Sequence, residues 1–240
     1  MANNLPIQTP VIASFLASQG YAAWVQAESR GRVEFPADLN FGVSGNTTTE
    51  MLARVSNVAV SRAGVVVVLG GTNDAAGEDE DDVPLATMIA NMTAIVQALV
   101  NAGKLVILIA ELPRGDPTFA PSQALSAANQ AKFEAYRQWM LDEVPGMFPG
   151  RVIIANVWAL WVIRGSTTGY VQPGLTYDGL HPSPAGARLI ARVLNAIFAA
   201  LFPAREWLLP VPTPAPTYYP AWPSYTWLNL NPLLTGSGGT

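Results

Sequence analysis

Short apolar runs alternate along this chain with longer stretches in which apolar residues return every three or four positions. Val65-Val66-Val67-Val68-Leu69, Leu105-Val106-Ile107-Leu108-Ile109-Ala110 and Val152-Ile153-Ile154-Ala155-Asn156 are continuous and rich in β-branched residues, the pattern of strands buried on both faces. Pro10 to Ala13 and Leu39 to Val43 read as two further short strands. Between them, Gly20 to Ser29 predicts a helix with Tyr21, Trp24 and Val25 on its buried stripe. Thr49 is expected to cap a helix over 50–55. From Val83 to Ala102, the positions Ile89, Met92, Ile95, Val96, Leu99 and Val100 share one side, and Gly103 ends the segment. Residues 122–143 and 183–201 complete the helical set. In the last of these, Ala185, Leu189, Ile190, Val193, Leu194 and Ile197 are expected to face inward, with Pro182 and Pro184 fitting the first turn.

Strands alternating with helices predict a parallel sheet covered on both faces. The expected fold class is α/β: a three-layer α/β/α sandwich around a five-stranded, mainly parallel sheet. Right-handed crossovers then place the strand exits after Ser14, Phe41, Leu69 and Ala110 along one edge, where open α/β sheets carry their sites.

Composition narrows what such a domain can do. Half of the 240 residues are apolar and 12% are charged, so the core should be large. A net charge of −4 and no Lys/Arg cluster give no electrostatic footprint for nucleic acid. With no cysteine and one histidine, thiolate sites and the usual zinc sites are excluded, and no metal or cofactor is expected. The acidic run Glu78-Asp79-Glu80-Asp81-Asp82 lacks Ca²⁺-loop spacing and reads as a solvated loop. No run of about eighteen uninterrupted apolar residues predicts a membrane span, and the amino terminus does not read as a signal peptide. The compartment is left open. Two regions are expected: a domain over 1–203, then a proline- and aromatic-rich arm over 204–240. The arm ends in Gly236-Ser237-Gly238-Gly239, read as a linker toward a further C-terminal domain.

The lone imidazole fixes where histidine chemistry must occur. His181 stands three residues after Asp178 in Tyr177-Asp178-Gly179-Leu180-His181-Pro182, so in a tight turn the carboxylate could hold Nδ1 and leave Nε2 for proton transfer. The plainer reading is a turn that leads into a helix. Gly45, in Gly42-Val43-Ser44-Gly45-Asn46-Thr47-Thr48, offers a bare backbone N–H, and Asn73, in Gly70-Gly71-Thr72-Asn73-Asp74, offers a side-chain amide to an oxyanion. Alternatively, Gly45 only permits a positive φ and Asn73 only forms an Asx-turn.

Taken in order, the Gly-Asn-Thr-Thr loop, Gly-Gly-Thr-Asn-Asp after a valine strand, and Asp-Gly-Leu-His-Pro-Ser-Pro-Ala-Gly before the last helix resemble the SGNH (GDSL-type) hydrolase family, over about residues 10–202. The resemblance implies a flavodoxin-like sheet, an acyl-enzyme mechanism without cofactor, and roles by motif: Gly45 and Asn73 as oxyanion donors, Asp178 as orienter, His181 as general base. The family's first block, Gly-Asp-Ser, is missing. In its place stands Val11-Ile12-Ala13-Ser14-Phe15-Leu16-Ala17-Ser18-Gln19-Gly20. Three registers compete for the nucleophile's position: Ser14, Ser18 or, ungapped, Phe15. Ser14 is preferred because Pro10 to Ala13 reads as a strand that would end at it, whereas Ser18 suits a helix cap.

The expected function is a serine ester hydrolase, leaning toward carbohydrate O-acetyl ester substrates because of the polar loops, the linker, and Trp158 and Trp161 after the fifth strand. Those tryptophans read equally well as core. The rival is a catalytically inactive domain of the same fold that binds glycans or serves as an assembly module, motivated by the altered first block and the aromatic arm.

Overall fold

A computed structural model describes residues 20–77, 83–115, 123–166 and 169–203. In chain order the elements are α1 (Tyr21–Glu28), α2 (Thr48–Ala53), α3 (Val55–Ala59), β1 (Val65–Val68), α4 (Thr72–Ala76), α5 (Leu85–Asn101), β2 (Leu105–Ile109), α6 (Ala127–Asp142), α7 (Val144–Met147), β3 (Val152–Ala155), α8 (Trp158–Trp161) and α9 (Pro184–Leu201).

The three strands pair in parallel in the order β1-β2-β3, with Val65 opposite Leu105 and Val106 opposite Val152. Parallel neighbours need crossovers, and helices supply them. Because side chains alternate across a strand, Val106 and Leu108 join one core with Met88, Met92, Ile95 and Leu99 of α5 and with Phe133, Tyr136 and Met140 of α6. Ile107 and Ile109 join the other, with Tyr21 and Val25 of α1 and Ile190, Leu194 and Phe198 of α9. The result is the expected three-layer α/β/α arrangement. β2 is sealed on both faces, which is why its apolar run is unbroken.

The strand count differs from expectation: three strands occur among the described residues. Pro10 to Ala13 lies outside them. Leu39 to Val43 is not a strand, although its apolar residues alternate. A 3-10 turn spans Ala37–Leu39, Asn40 Oδ1 accepts from the Gly42 N–H at 3.1 Å, and Arg54 Nε donates to the Phe41 carbonyl. Two of this segment's backbone groups are thus bonded to side chains.

Helix ends follow local chemistry. α2 begins one residue before Thr49, capped by Thr47, whose N–H donates to Glu50 Oε2 at 2.8 Å; Thr-x-x-Glu is the reciprocal capping signature. α5 ends as Gly103 predicts, at φ +80°, with Gly103 N–H donating to Val100 O and Lys104 N–H to Leu99 O. α6 starts later than residue 122, where Ser126 accepts from the Asn129 N–H.

α9 is long and apolar enough, by length and composition, to cross a membrane. In this fold it is a core helix. Ser183 caps it and Pro184 opens it. Its buried stripe is Gly186, Ala187, Ile190, Ala191, Leu194 and Phe198. Ala185 is exposed rather than inward, and Leu189, Val193 and Ile197 are partly buried at the edges of the stripe. A Cβ on Gly186 would lie 2.1 Å from the Leu175 carbonyl oxygen and 2.8 Å from the Trp161 ring. Gly186→Ala is therefore expected to destabilise the protein by about 1–3 kcal/mol, read as a lower urea midpoint with unchanged slope. An unchanged midpoint would show that the neighbouring turn yields freely.

Candidate active site

The segment between α8 and α9 builds a closed turn. Ser183 N–H donates to Leu175 O, Tyr177 N–H donates to His181 O at 2.9 Å, and Gly179, at φ +87°, donates its N–H to Thr176 Oγ1. Within that frame one carboxylate does two things. Asp178 Oδ1 accepts from the Leu180 and His181 N–H groups at 2.9 and 2.7 Å, which shapes the turn. Asp178 Oδ2 stands 2.6 Å from His181 Nδ1. The contacts that shape the turn and the contact to the imidazole therefore coexist on one carboxylate. Burial pushes the Asp178 pKa up, but the His181 ring and the two N–H donors outweigh it and hold the carboxyl below the ordinary range. Asp178 stays ionised, and with Nδ1 engaged it is Nε2 that remains for proton transfer.

The oxyanion candidates sit on two loops that are tied together. Asn73 is the second residue of α4, entered through Gly71 at φ +137°. A Cβ on Gly71 would meet Tyr136 and Glu111 Oε1, so backbone freedom and close approach both require glycine there. Asn73 Nδ2 donates to the Asn46 carbonyl at 2.9 Å, which engages one of its two N–H bonds. Asp74, fully buried, accepts from the Thr48 N–H at 2.9 Å and from Thr48 Oγ1 at 2.5 Å. Gly45 lies at the exposed tip of this loop at φ +77°, with open space where a Cβ would be. Its positive φ is thus real, and it is compatible with a donor role for the N–H.

A cavity of about 760 Å³ is lined by residues of both halves: Asn46, Gly70, Gly71, Thr72 and Asn73, and Leu180 and Pro182 on either side of His181. Gly45, Asp178 and His181 themselves stand outside that lining. Ser14 and Ser18, and with them Phe15, lie outside the described residues, as does the acidic run 78–82. No group of three or more potential metal-ligating side chains occurs among the described residues. Trp161 is fully buried in the core beneath α9, and Trp158 packs on Phe133 and under the Arg137 guanidinium. Neither tryptophan lines the cavity, and Trp161 is core.

Three residues that sequence reasoning did not single out organise the site. Arg54 brackets the Gly45 loop, donating to Phe41 O before it and to Asn46 Oδ1 and Glu50 O after it. Arg114 and Glu111, in the loop after β2, press against the Asn73 turn. Glu111 is fully buried, its Oε1 has no hydrogen-bond partner among the described residues, and burial pushes its pKa up to about 8. The only sequence signal for the last two was their place at a strand's carboxyl end.

A three-layer α/β/α domain with an Asp-His pair and an amide-bearing turn at the strand exits defines a hydrolase scaffold of the SGNH type. The chain belongs to the GDSL-like lipase/acylhydrolase family, whose pattern matches residues 11–189, and at the level of the family it is an ester hydrolase. Among solved structures it is similar to a G-D-S-L family protein from Desulfitobacterium hafniense (17% identity, 75% of this chain and 89% of the other covered, TM-score 0.58). A carbohydrate esterase of family 3 from Talaromyces cellulolyticus (20%, 67% and 70%, TM-score 0.51) and an acetyl xylan esterase (16%, 75% and 91%, TM-score 0.56) share the fold as well. No curated protein matches the chain.

Proposed function

We propose that the protein is a serine ester hydrolase that acts through an acyl-enzyme on small acyl esters, with an acetyl group on a saccharide as the preferred substrate. In this reading Ser14 attacks the acyl carbonyl, His181 Nε2 takes its proton, and Asp178 stabilises the imidazolium. The Gly45 N–H and the Asn73 amide receive the oxyanion. As the tetrahedral intermediate collapses, the ester C–O bond breaks and His181 returns the proton to the leaving alkoxide. Water then attacks the acyl-enzyme, His181 takes its proton and passes it to Ser14 Oγ, and the carboxylic acid leaves.

The observation that carries the reading is the 2.6 Å Asp178–His181 contact in a turn whose flanking residues share a cavity with Asn73. Ser14 takes the nucleophile's part on the sequence alone, as the residue that follows the run Pro10 to Ala13. The sharing of the fold with a carbohydrate esterase and an acetyl xylan esterase favours the small acyl group.

Labelling with a fluorophosphonate and mapping the adduct by mass spectrometry tests the mechanism and chooses the serine. An adduct on Ser14 is expected; one on Ser18 keeps the enzyme and moves the nucleophile; none on folded protein leaves the inactive, ligand-binding reading. Acetylated xylan should be turned over faster than long-chain esters, and the reverse order would remove the saccharide assignment.

A further inference from the structure

The loop leaving β2 is bonded to both halves of the site within two consecutive residues. Arg114 is only 6% exposed. Its Nη1 donates to Thr72 O at 3.0 Å and Thr72 Oγ1 at 3.3 Å, while Nε and Nη2 donate to Gln123 O at 2.8 Å and Gln123 Oε1 at 3.2 Å. Thr72 immediately precedes Asn73. The next residue, Gly115, donates its N–H to the Gly179 carbonyl at 2.7 Å and accepts from the Val171 N–H at 2.8 Å. Gly179 lies between Asp178 and His181. Gly115 is at φ +84°, and a Cβ there would fall 2.8 Å from Ala124 Cα, so the link tolerates only glycine.

We propose that Arg114 is a positioning residue: its guanidinium fixes the Thr72-Asn73 turn against the loop whose Gly115 holds the Asp178–His181 turn, and so sets the spacing of amide and base. The Asn73 turn needs such a brace. α4 has five residues, too few to be stable alone, and it begins at a glycine of unusual φ. A misplacement of about 1 Å in a catalytic constellation lowers turnover by on the order of 10²-fold. The planar fork of arginine reaches Thr72 and Gln123 at once, which the point charge of lysine does not reproduce. The kinetic part of the proposal rests on the esterase reading; the structural part does not.

The test combines a kinetic cycle with hydrogen exchange. Arg114→Gln and Arg114→Lys are expected to lower kcat by about 10–10²-fold, with KM changed by less than about threefold. Because Arg114 acts through Asn73, adding Arg114→Gln to Asn73→Ala should lower kcat by no more than about threefold further. Fully multiplicative losses, or wild-type kcat in folded Arg114 variants, would overturn the proposal. Hydrogen exchange should show the amides of 72–76 losing at least about tenfold protection while those of α9 keep theirs. This arm judges the brace even if the wild-type protein hydrolyses no ester: that result sinks the function, while unchanged protection over 72–76 sinks the brace. Arg114→Lys retains the charge and supplies the folded comparison if Arg114→Gln unfolds.

Discussion

Replacing His181 by Ala is expected to lower kcat on a small acyl ester by on the order of 10⁶-fold, because no other imidazole exists in the chain to take the serine proton. The fold should survive. The His181 side chain is 43% exposed, and the backbone bonds that close its turn, Tyr177 N–H to His181 O and His181 N–H to Asp178 Oδ1, do not involve the ring. Stability is therefore expected to change by less than about 1 kcal/mol. Asp178→Asn provides the paired measurement. An asparagine can still accept the Leu180 and His181 N–H groups through Oδ1, so the turn persists. It offers Nδ1 an amide where the ring now has a carboxylate, which disturbs the tautomer and leaves the imidazolium without its counter-charge. A loss of on the order of 10⁴-fold is expected. Burst amplitude and steady-state kcat on an activated acetyl ester read both effects. A His181→Ala variant with undiminished kcat would transfer the chemistry away from this turn.

Much of this site was legible before any coordinates, for reasons particular to its residues. Asp178 and His181 are three positions apart, so the chain itself delivers one to the other, and the Asp-x-x-His spacing encodes the contact. β1, β2 and β3 were legible because a strand covered on both faces must be apolar throughout. Gly103 was legible because a helix that ends in a left-handed residue favours glycine. Leu39 to Val43 alternates as a strand would, yet among the described residues it starts in a 3-10 turn and bonds its Gly42 N–H and Phe41 carbonyl to the Asn40 and Arg54 side chains. The cap of α2 was placed late, although Thr47 and Glu50 carry the signature. For Arg114 and Glu111 local reading offered only their place at the carboxyl end of β2. Arg114 meets Thr72 across 42 positions of sequence, and no periodicity or motif encodes a contact made by the closing of three layers.

Glu111→Gln is expected to flatten the pH dependence of stability, with the variant gaining over wild type as pH rises. The buried Glu111 carboxyl lies against Gly71 and near Asp74; burial, with that second carboxylate adding to it, raises its pKa to about 8. In the unfolded chain the group titrates near the ordinary value of about 4.3. Below that value both states hold the proton, and Glu111 imposes no penalty. Between about 4.3 and about 8 the unfolded state has released its proton while the folded state keeps it, so stability falls by about 1.4 kcal/mol per pH unit from this group alone. Above about 8 both states are ionised and the loss levels off. Glutamine fills nearly the same space and never ionises, so its urea midpoint should separate from that of wild type progressively from pH 5 to 8, with several kcal/mol as an upper bound. Parallel curves would show that Glu111 is ionised and solvated in the native protein. The same proton matters to the proposed chemistry. A neutral carboxyl beside Gly71 adds no further negative charge to a turn that already holds Asp74, whereas an ionised one would oppose the developing oxyanion there. The kcat/KM profile of wild type should accordingly turn down above about pH 8, and Glu111→Gln should remove that descending limb.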